Sequence, residues 1–291
     1  MSMTRRDALK AVAALGATAA AAPAAARERR EAPADAVGML YDASRCIGCK
    51  ACMVACREAN HVPYPDGADL YYEPRDLSAN CKNIIKLNKG ETAWSYIKRQ
   101  CMHCVDPGCV SACMMGSFQK REYGIVTWDP TRCVGCRYCQ VACQFNVPKF
   151  QWDTPKPRIV KCEMCNHLLA EGGIPACCDV CPREAVIFGD YRELLADARA
   201  RLAAEPERYH PKIYGEHDAG GTQVLYLAKA GFAFEDLGLP DLGDEPTPAL
   251  SETIQHSIYK GFIAPAALYA ALGVAVWRSK RAARVSQEVK S

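Results

Sequence analysis

No glycine-rich dinucleotide fingerprint occurs in this 291-residue chain, which removes the nicotinamide- and flavin-binding βαβ unit from consideration. An excess of charge of one sign is missing as well. The 36 lysines and arginines face 33 acidic residues, a formal net charge of +3, and nothing in that balance calls for a nucleic-acid partner. Cysteine density falls short of a small disulfide scaffold: 18 cysteines are about 6% of the chain, below the range such scaffolds show. The length suits one large domain or two small ones.

What the chain does have is order among those cysteines. Sixteen of the 18 form four quartets. The first is Cys46-x2-Cys49-x2-Cys52-x3-Cys56 and the second Cys101-x2-Cys104-x4-Cys109-x3-Cys113. The third, Cys133-x2-Cys136-x2-Cys139-x3-Cys143, repeats the first, and the fourth is Cys162-x2-Cys165-x11-Cys177-x3-Cys181 followed by Pro182. Three closely spaced thiolates on a loop can hold three irons of a cubane. A fourth, on the helix that follows, reaches the neighbouring cluster, as in two-cluster bacterial ferredoxins. Structural zinc sites come as two separated cysteine pairs per metal, without a trailing fourth cysteine. A disulfide framework would leave the fourfold repeat unexplained. The spacing therefore predicts four 4Fe-4S clusters.

Each oxidised cluster with its four thiolates carries roughly −2, which would bring the loaded protein to about −5. The basic residues beside the quartets (Arg45, Lys50, Arg57, Arg132, Arg137, Lys161 and Arg183) are accordingly read as offsetting cluster charge. A solvated surface is their plainer role.

Both ends bear on location. Thr4-Arg5-Arg6-Asp7-Ala8-Leu9-Lys10 precedes an alanine-rich apolar run over 11–22, and Ala24-Ala25-Ala26 follows. This resembles a twin-arginine export signal over 1–26, with Ala8 where such signals carry Phe, and with cleavage after Ala26. That route carries proteins already folded around their cofactors, so cysteines bound for an oxidising compartment need not pair. At the other end, residues 261–277 are an uncharged run of 17. As a helix it spans about 25 Å, at the short limit for a core of roughly 30 Å. With Ile258 and Tyr259 added, 258–278 is expected to be a transmembrane helix. Arg278, Lys280, Arg281 and Arg284 begin a cytoplasmic basic tail over 279–291, so that everything before the helix lies on the periplasmic side.

Between the ends, 27–40 reads as a charged linker and 41–190 as the four-cluster domain. Each x3 spacing implies about one helical turn, over 50–60 and 137–144 for example. Residues 83–87 and 93–98 read as a hairpin around Asn88-Lys89-Gly90, and 117–121 and 125–128 as another around Gly124. The fold class is thus α+β, with ferredoxin-like units. Residues 191–204 have the period of a helix. The stretch 205–251, rich in Gly, Pro and Asp, reads as an irregular arm with one strand candidate over 222–228, the whole helix-and-arm segment running from 191 to 257.

Taken together, the quartets, export signal and C-terminal apolar run resemble the periplasmic four-cluster subunits of respiratory oxidoreductases. The segments Tyr214-Gly215-Glu216-His217-Asp218-Ala219-Gly220-Gly221-Thr222-Gln223-Val224 and Glu252-Thr253-Ile254-Gln255-His256-Ser257-Ile258-Tyr259-Lys260-Gly261 are similar to the HybA family of hydrogenase-2-type NiFe hydrogenases. Met114-Met115-Gly116 departs from relatives that carry Cys-Pro there. The resemblance implies two interleaved bacterial-ferredoxin-like units in which the quartets pair crosswise. Cluster one would be held by Cys46, Cys49, Cys52 and Cys181, and cluster two by Cys162, Cys165, Cys177 and Cys56. Cluster three would use Cys101, Cys104, Cys109 and Cys143, and cluster four Cys133, Cys136, Cys139 and Cys113. It also implies an inner-membrane electron-transfer subunit between the hydrogenase small and large subunits and a polytopic quinone-reactive membrane subunit.

Beyond the cysteines no catalytic residue stands out, and the nickel-binding cysteine pairs of a hydrogenase large subunit are absent. Catalysis would belong to the partner in a hydrogen:quinone oxidoreductase complex. Cys81 and Cys178 are left over and read as spectator thiols, Cys178 also as a substitute ligand. His103 and His167 are candidates to hydrogen-bond cluster sulfur, and His256 to sit near a partner's quinone or haem. The alternative is the β subunit of a periplasmic formate dehydrogenase or another molybdenum enzyme. A non-redox, zinc-binding assembly factor is the reading from a different class. Replacing Arg5 and Arg6 together by Lys is expected to leave the protein in the cytoplasm, measured by cell fractionation; undiminished export would remove the twin-arginine reading.

Overall fold

The computed structural model describes residues 29–64, 74–90, 93–152, 154 and 157–288. The expected export signal over 1–26, with Arg5, Arg6 and Ala26, and the C-terminal Ser291 lie outside the described residues, as do the first two residues of the expected linker. Residues 29–248 form one compact unit, and 249–288 belong to a second.

The first unit is organised by a four-stranded sheet in which the strands 186–190, 37–42, 224–229 and 209–214 lie side by side in that order. Its two central strands are β1 (Val37–Asp42) and β10 (Val224–Lys229), both nearly continuous apolar runs, as strands covered on both faces require. They pair in parallel, Met39 opposite Val224 and Tyr41 opposite Tyr226. The flanking β8 (Val186–Asp190) and β9 (Tyr209–Tyr214) are antiparallel to their neighbours. Alternation along the strands divides the work. Leu40, Leu225 and Leu227 pack with Leu194 and Ala198 of the helix that follows β8. Met39, Tyr41, Val224 and Tyr226 face the other way, into a core shared with Cys52, Cys101, Cys162 and Cys177. One face of the sheet thus closes an ordinary helix–sheet core, and the other backs the cysteines.

The quartet region supplies short elements. In chain order these are α1 (Ala51–Ala59), β2 (Ile84–Lys89), β3 (Trp94–Arg99), α2 (Gly108–Ser111), β4 (Phe118–Lys120), β5 (Val126–Trp128), α3 (Tyr138–Val141), β6 (Lys149–Phe150), β7 (Ile159–Val160), α4 (Asn166–Ala170) and α5 (Ala176–Asp179). Both expected hairpins form: β2 pairs with β3, Ile84 opposite Arg99 and Lys89 opposite Trp94, and β4 with β5. The mixed helix and strand content expected of ferredoxin-type units is present. Helix α1 packs on α5, and α2 on α3, so elements of the first and fourth quartets meet, as do those of the second and third.

Helix α6 (Tyr191–Ala204) has the bounds that its periodicity predicted. Asp190 caps it, accepting from the backbone N–H of Arg192 at 2.8 Å and of Glu193 at 3.1 Å. The expectation of an irregular arm beyond it needs correction. Residues 209–214 and 224–229 complete the central sheet, because β10 finds its partner about 185 residues back in the chain, where no local pattern points.

A second correction concerns the C-terminal helix. The expected span over 258–278 lies within a single 42-residue helix, α7 (Thr247–Glu288). Among the described residues, however, no helix is long and apolar enough to cross a membrane. The uncharged run is about 25 Å long against roughly 30 Å of hydrocarbon, and Pro265, Gly261, Gly273 and many alanines dilute its apolar content. The cytoplasmic placement of the 279–291 tail loses its basis with it.

Asp42 ties the sheet to its helix. Its carboxylate, 1% exposed, accepts from Tyr209 Oη at 2.8 Å, Arg201 Nη1 at 3.2 Å and Ser44 Oγ at 2.6 Å. Removing one member of a buried charged network leaves its partners uncompensated. Asp42→Ala is expected to cost about 3 kcal/mol and to lower the thermal midpoint of the loaded protein by several degrees in a circular-dichroism melt. An unchanged midpoint would show that the network is dispensable.

Candidate iron–sulfur centres

The quartet loops are shaped by left-handed backbone. In the first, Gly48 (φ 71°) and Lys50 (φ 61°) turn the chain between cysteines before α1 begins. The third repeats this with Gly135 (φ 72°) and Arg137 (φ 67°). In the second, His103 takes φ 47°, and in the fourth Met164 and Cys165 take 55° and 48°. Alternation of right- and left-handed residues points successive N–H groups into one concavity, a favourable setting for thiolate and sulfide. At Gly48 the requirement is double, since a Cβ there would lie 2.3 Å from the Tyr96 ring.

The last sulfur of each quartet is held alike. Cys113, Cys143 and Cys181 accept from the backbone N–H four residues on, those of Ser117, Val147 and Ala185, at 3.3, 3.5 and 3.3 Å. In the first quartet a side-chain amide takes that part. Asn60 Nδ2 lies 3.7 Å from Cys56 Sγ and 3.4 Å from Cys165 Sγ, so one amide faces sulfurs of two quartets. Lys82 holds Asn60 in place through its Oδ1 at 3.1 Å.

Neighbourhoods among the sulfurs follow the helix pairs. Cys46, Cys49, Cys52 and Cys181 line one cavity with Tyr41 and Lys98. Cys56 has Cys162, Cys177 and Cys165 as its thiol neighbours. Cys104 has Cys143, Cys101 and Cys109, and Cys139 has Cys113, Cys133 and Cys136. Burial is the first influence on the Cys52, Cys56, Cys104, Cys109, Cys139 and Cys162 thiols. It pushes Cys52, Cys139 and Cys162 up to about 12, and the neighbouring thiols add to the rise. Cys177 moves the opposite way, because the Cys178 thiol donates to it and Lys98 stands beside it.

Thiols gathered in this way resist ionisation until cations join them, and metal binding supplies those cations while releasing the protons. All sixteen quartet cysteines are free of disulfides. Among the described residues no three of His, Cys, Asp and Glu stand close enough to hold a single metal ion. The donor set, its burial and its N–H groups fit iron–sulfur clusters.

The remaining sequence candidates separate. Cys81, 5% exposed, donates to the Asn83 carbonyl at 2.8 Å, a structural thiol. His167 Nε2 sits 2.9 Å from the Ala59 carbonyl, joining α4 to α1 instead of meeting sulfur. His103 is fully buried, and its Nδ1 accepts from Val126 N–H at 3.1 Å, which leaves the proton on Nε2. Burial, with Lys161 and Lys120 nearby, holds it well below the usual histidine range. His256 lies on α7. Among the basic residues read from the sequence, Lys161 alone is deeply buried, with Nζ donating to the Cys162 carbonyl at 2.8 Å. Arg137 instead stacks on Trp152, 3.8 Å from the ring, and Arg132 pairs with Asp129. Sequence reasoning missed Lys98, Asn60 and Tyr96. Only the alternation of β3, which turns Tyr96 and Lys98 to one face, hinted at the last and first of these.

The fold and donor set define a ferredoxin-type iron–sulfur protein, and comparison with known proteins agrees. Residues 92–191 match a 4Fe-4S dicluster domain, and residues 37–58 a 4Fe-4S binding domain. The chain is 40% identical over 318 aligned residues to the hydrogenase-2 operon protein HybA of Escherichia coli O157:H7, covering 96% of both chains. It belongs to that family. It is also 38% identical to the iron–sulfur subunit of the nitrate-inducible formate dehydrogenase of E. coli K12, over 66% of this chain and 67% of the relative. For the formate dehydrogenase-O iron–sulfur subunit of the same organism the identity is 34%, over 79% and 77%.

Proposed function

We propose that this protein is the electron-transfer subunit of a membrane-bound periplasmic NiFe hydrogenase. It would relay electrons between the hydrogenase small subunit and a quinone-reactive membrane subunit through four 4Fe-4S clusters. The observation that carries the reading is the near end-to-end match to the HybA relative, which takes in the segments beyond the cysteine domain. The formate dehydrogenase subunits match over a smaller share, and that alternative stands second.

The ligand sets we propose are Cys46, Cys49, Cys52 and Cys181; Cys162, Cys165, Cys177 and Cys56; Cys101, Cys104, Cys109 and Cys143; and Cys133, Cys136, Cys139 and Cys113. The packing of α1 on α5 and of α2 on α3 supports them, as do the thiol neighbourhoods and Asn60 between Cys56 and Cys165. When bound, the clusters supply one-electron carriers. The chain fixes each group of four sulfurs, directs N–H groups at them and, by burying eight of the sixteen, limits the reorganisation of water around a changing charge. Cys49 and Cys136 are exposed, which places the first and third loops nearest the surface, where a redox partner could approach.

Membrane attachment through α7, after twin-arginine export to the periplasmic side, belongs to the same proposal. Exposed Phe262, Tyr269, Leu272, Val276 and Trp277 support it, with Arg281 lying 5.4 Å over the Trp277 ring. An apolar surface of the membrane partner would cover these side chains, since α7 is not apolar enough to cross a bilayer by itself. Metal analysis of the complex purified through this subunit tests the choice of enzyme. Stoichiometric nickel is expected; molybdenum in its place would transfer the subunit to the formate dehydrogenase reading.

A further inference from the structure

Lys98 is 1% exposed, on β3, and its side chain lines the cavity framed by Cys46, Cys49, Cys52 and Cys181. Its Nζ donates to Gln100 Oε1 and meets the Cys177 thiol. Cys52 and Cys162 also face it, so its ammonium stands between sulfurs of the first quartet and sulfurs of the fourth. Tyr226 Oη donates to the Lys98 carbonyl at 2.7 Å, which fixes the strand against the central sheet. Among the described residues Lys98 has no carboxylate ion-pair partner. A lysine so deeply buried needs an anion nearby. Lys161, the other lysine buried beside these cysteines, has Glu163 for company.

We infer that the Lys98 ammonium is a fixed buried cation shared by two redox centres, those of Cys46, Cys49, Cys52, Cys181 and of Cys56, Cys162, Cys165, Cys177, and that it raises the reduction potentials of both. Adding an electron makes a thiolate-ligated centre more negative, and a cation in a low-dielectric setting stabilises the reduced form more than the oxidised one. Lys98 thereby separates this pair of centres from the pair held by the second and third quartets. The inference rests on the iron–sulfur reading above, and iron and sulfide content of the wild-type protein, measured first, tests that reading by itself.

The experiment is an EPR-monitored redox titration of the purified full-length protein carrying Lys98→Met, beside Lys98→Arg and wild type. In the Met variant two centres are expected to titrate at lower potential while the other two stay in place. The Arg variant, which keeps the charge, is expected to return towards wild type. Unchanged potentials in an iron-replete Met variant would overturn the inference. So would equal shifts of all centres, or an Arg variant shifted as far as Met. If the Met variant loses iron, Gln100→Glu decides: it keeps the lysine and sets a carboxylate on its Nζ. The same two centres should then fall in potential, and their failure to move would overturn the inference.

Discussion

Sulfur donors that must be ionised yet lie out of water set the terms for this molecule. A buried thiolate without a cation is too costly to persist, and several thiols pointed at one another make ionisation harder still. The chain meets that constraint with three devices: left-handed turns that aim N–H groups inward, a donor four residues beyond each quartet's last sulfur, and two lysines buried among the sulfurs. The rest of the unit serves to keep these in place. The central sheet offers the cysteines one face and a helix the other, and Tyr41 and Tyr226 reach across to hydrogen-bond carbonyls of β3 at 3.0 and 2.7 Å. Their rings lie 5.5 Å apart, an aromatic contact that adds roughly 1 kcal/mol to the wall behind the first quartet.

The pairing of helices suits a relay. With α1 against α5 and α2 against α3, the first quartet lies beside the distant fourth and the second beside the third, so no quartet stands alone. A wire built from four isolated loops would leave each centre free to drift from the next. The proposed interleaving would make neighbouring centres share secondary structure, so that packing fixes their separation. The junction between the two helix pairs contains Lys161 and His103, both buried: the lysine bonds the Cys162 carbonyl, and the histidine sits between Cys101 and Cys104.

Much of this was legible in the sequence where the signal was local. Cysteine spacing carries its chemistry in a few residues, and the two hairpins and the helix Tyr191–Ala204 follow from alternation, turn chemistry and period, although Asn88 and Lys89, expected in the first turn, pair with Ser95 and Trp94. The pairing of the central sheet was not legible, because Met39 meets Val224 across most of the chain; the strand over 222–228 was foreseen as β10, whereas β9 lies in a stretch that resembles loop. Lys98 was hidden for a related reason: a lysine in a strand reads as solvated, and its burial becomes apparent only once sulfurs from two distant quartets enclose it. At the C-terminus the helix was foreseen while its apolar content was overvalued, since a run of alanines supplies length without much hydrophobicity.

The central claim is that each quartet lends its last cysteine to a neighbouring centre. EPR of Cys46→Ala, Cys56→Ala and Cys162→Ala variants tests it most directly. The crosswise arrangement predicts that Cys56→Ala and Cys162→Ala disturb one and the same centre, by conversion to a three-iron signal or by its loss, while the centre altered by Cys46→Ala is a different one. If Cys56→Ala and Cys46→Ala changed a single shared signal and Cys162→Ala another, each quartet would serve its own cluster and the crosswise relay would be contradicted.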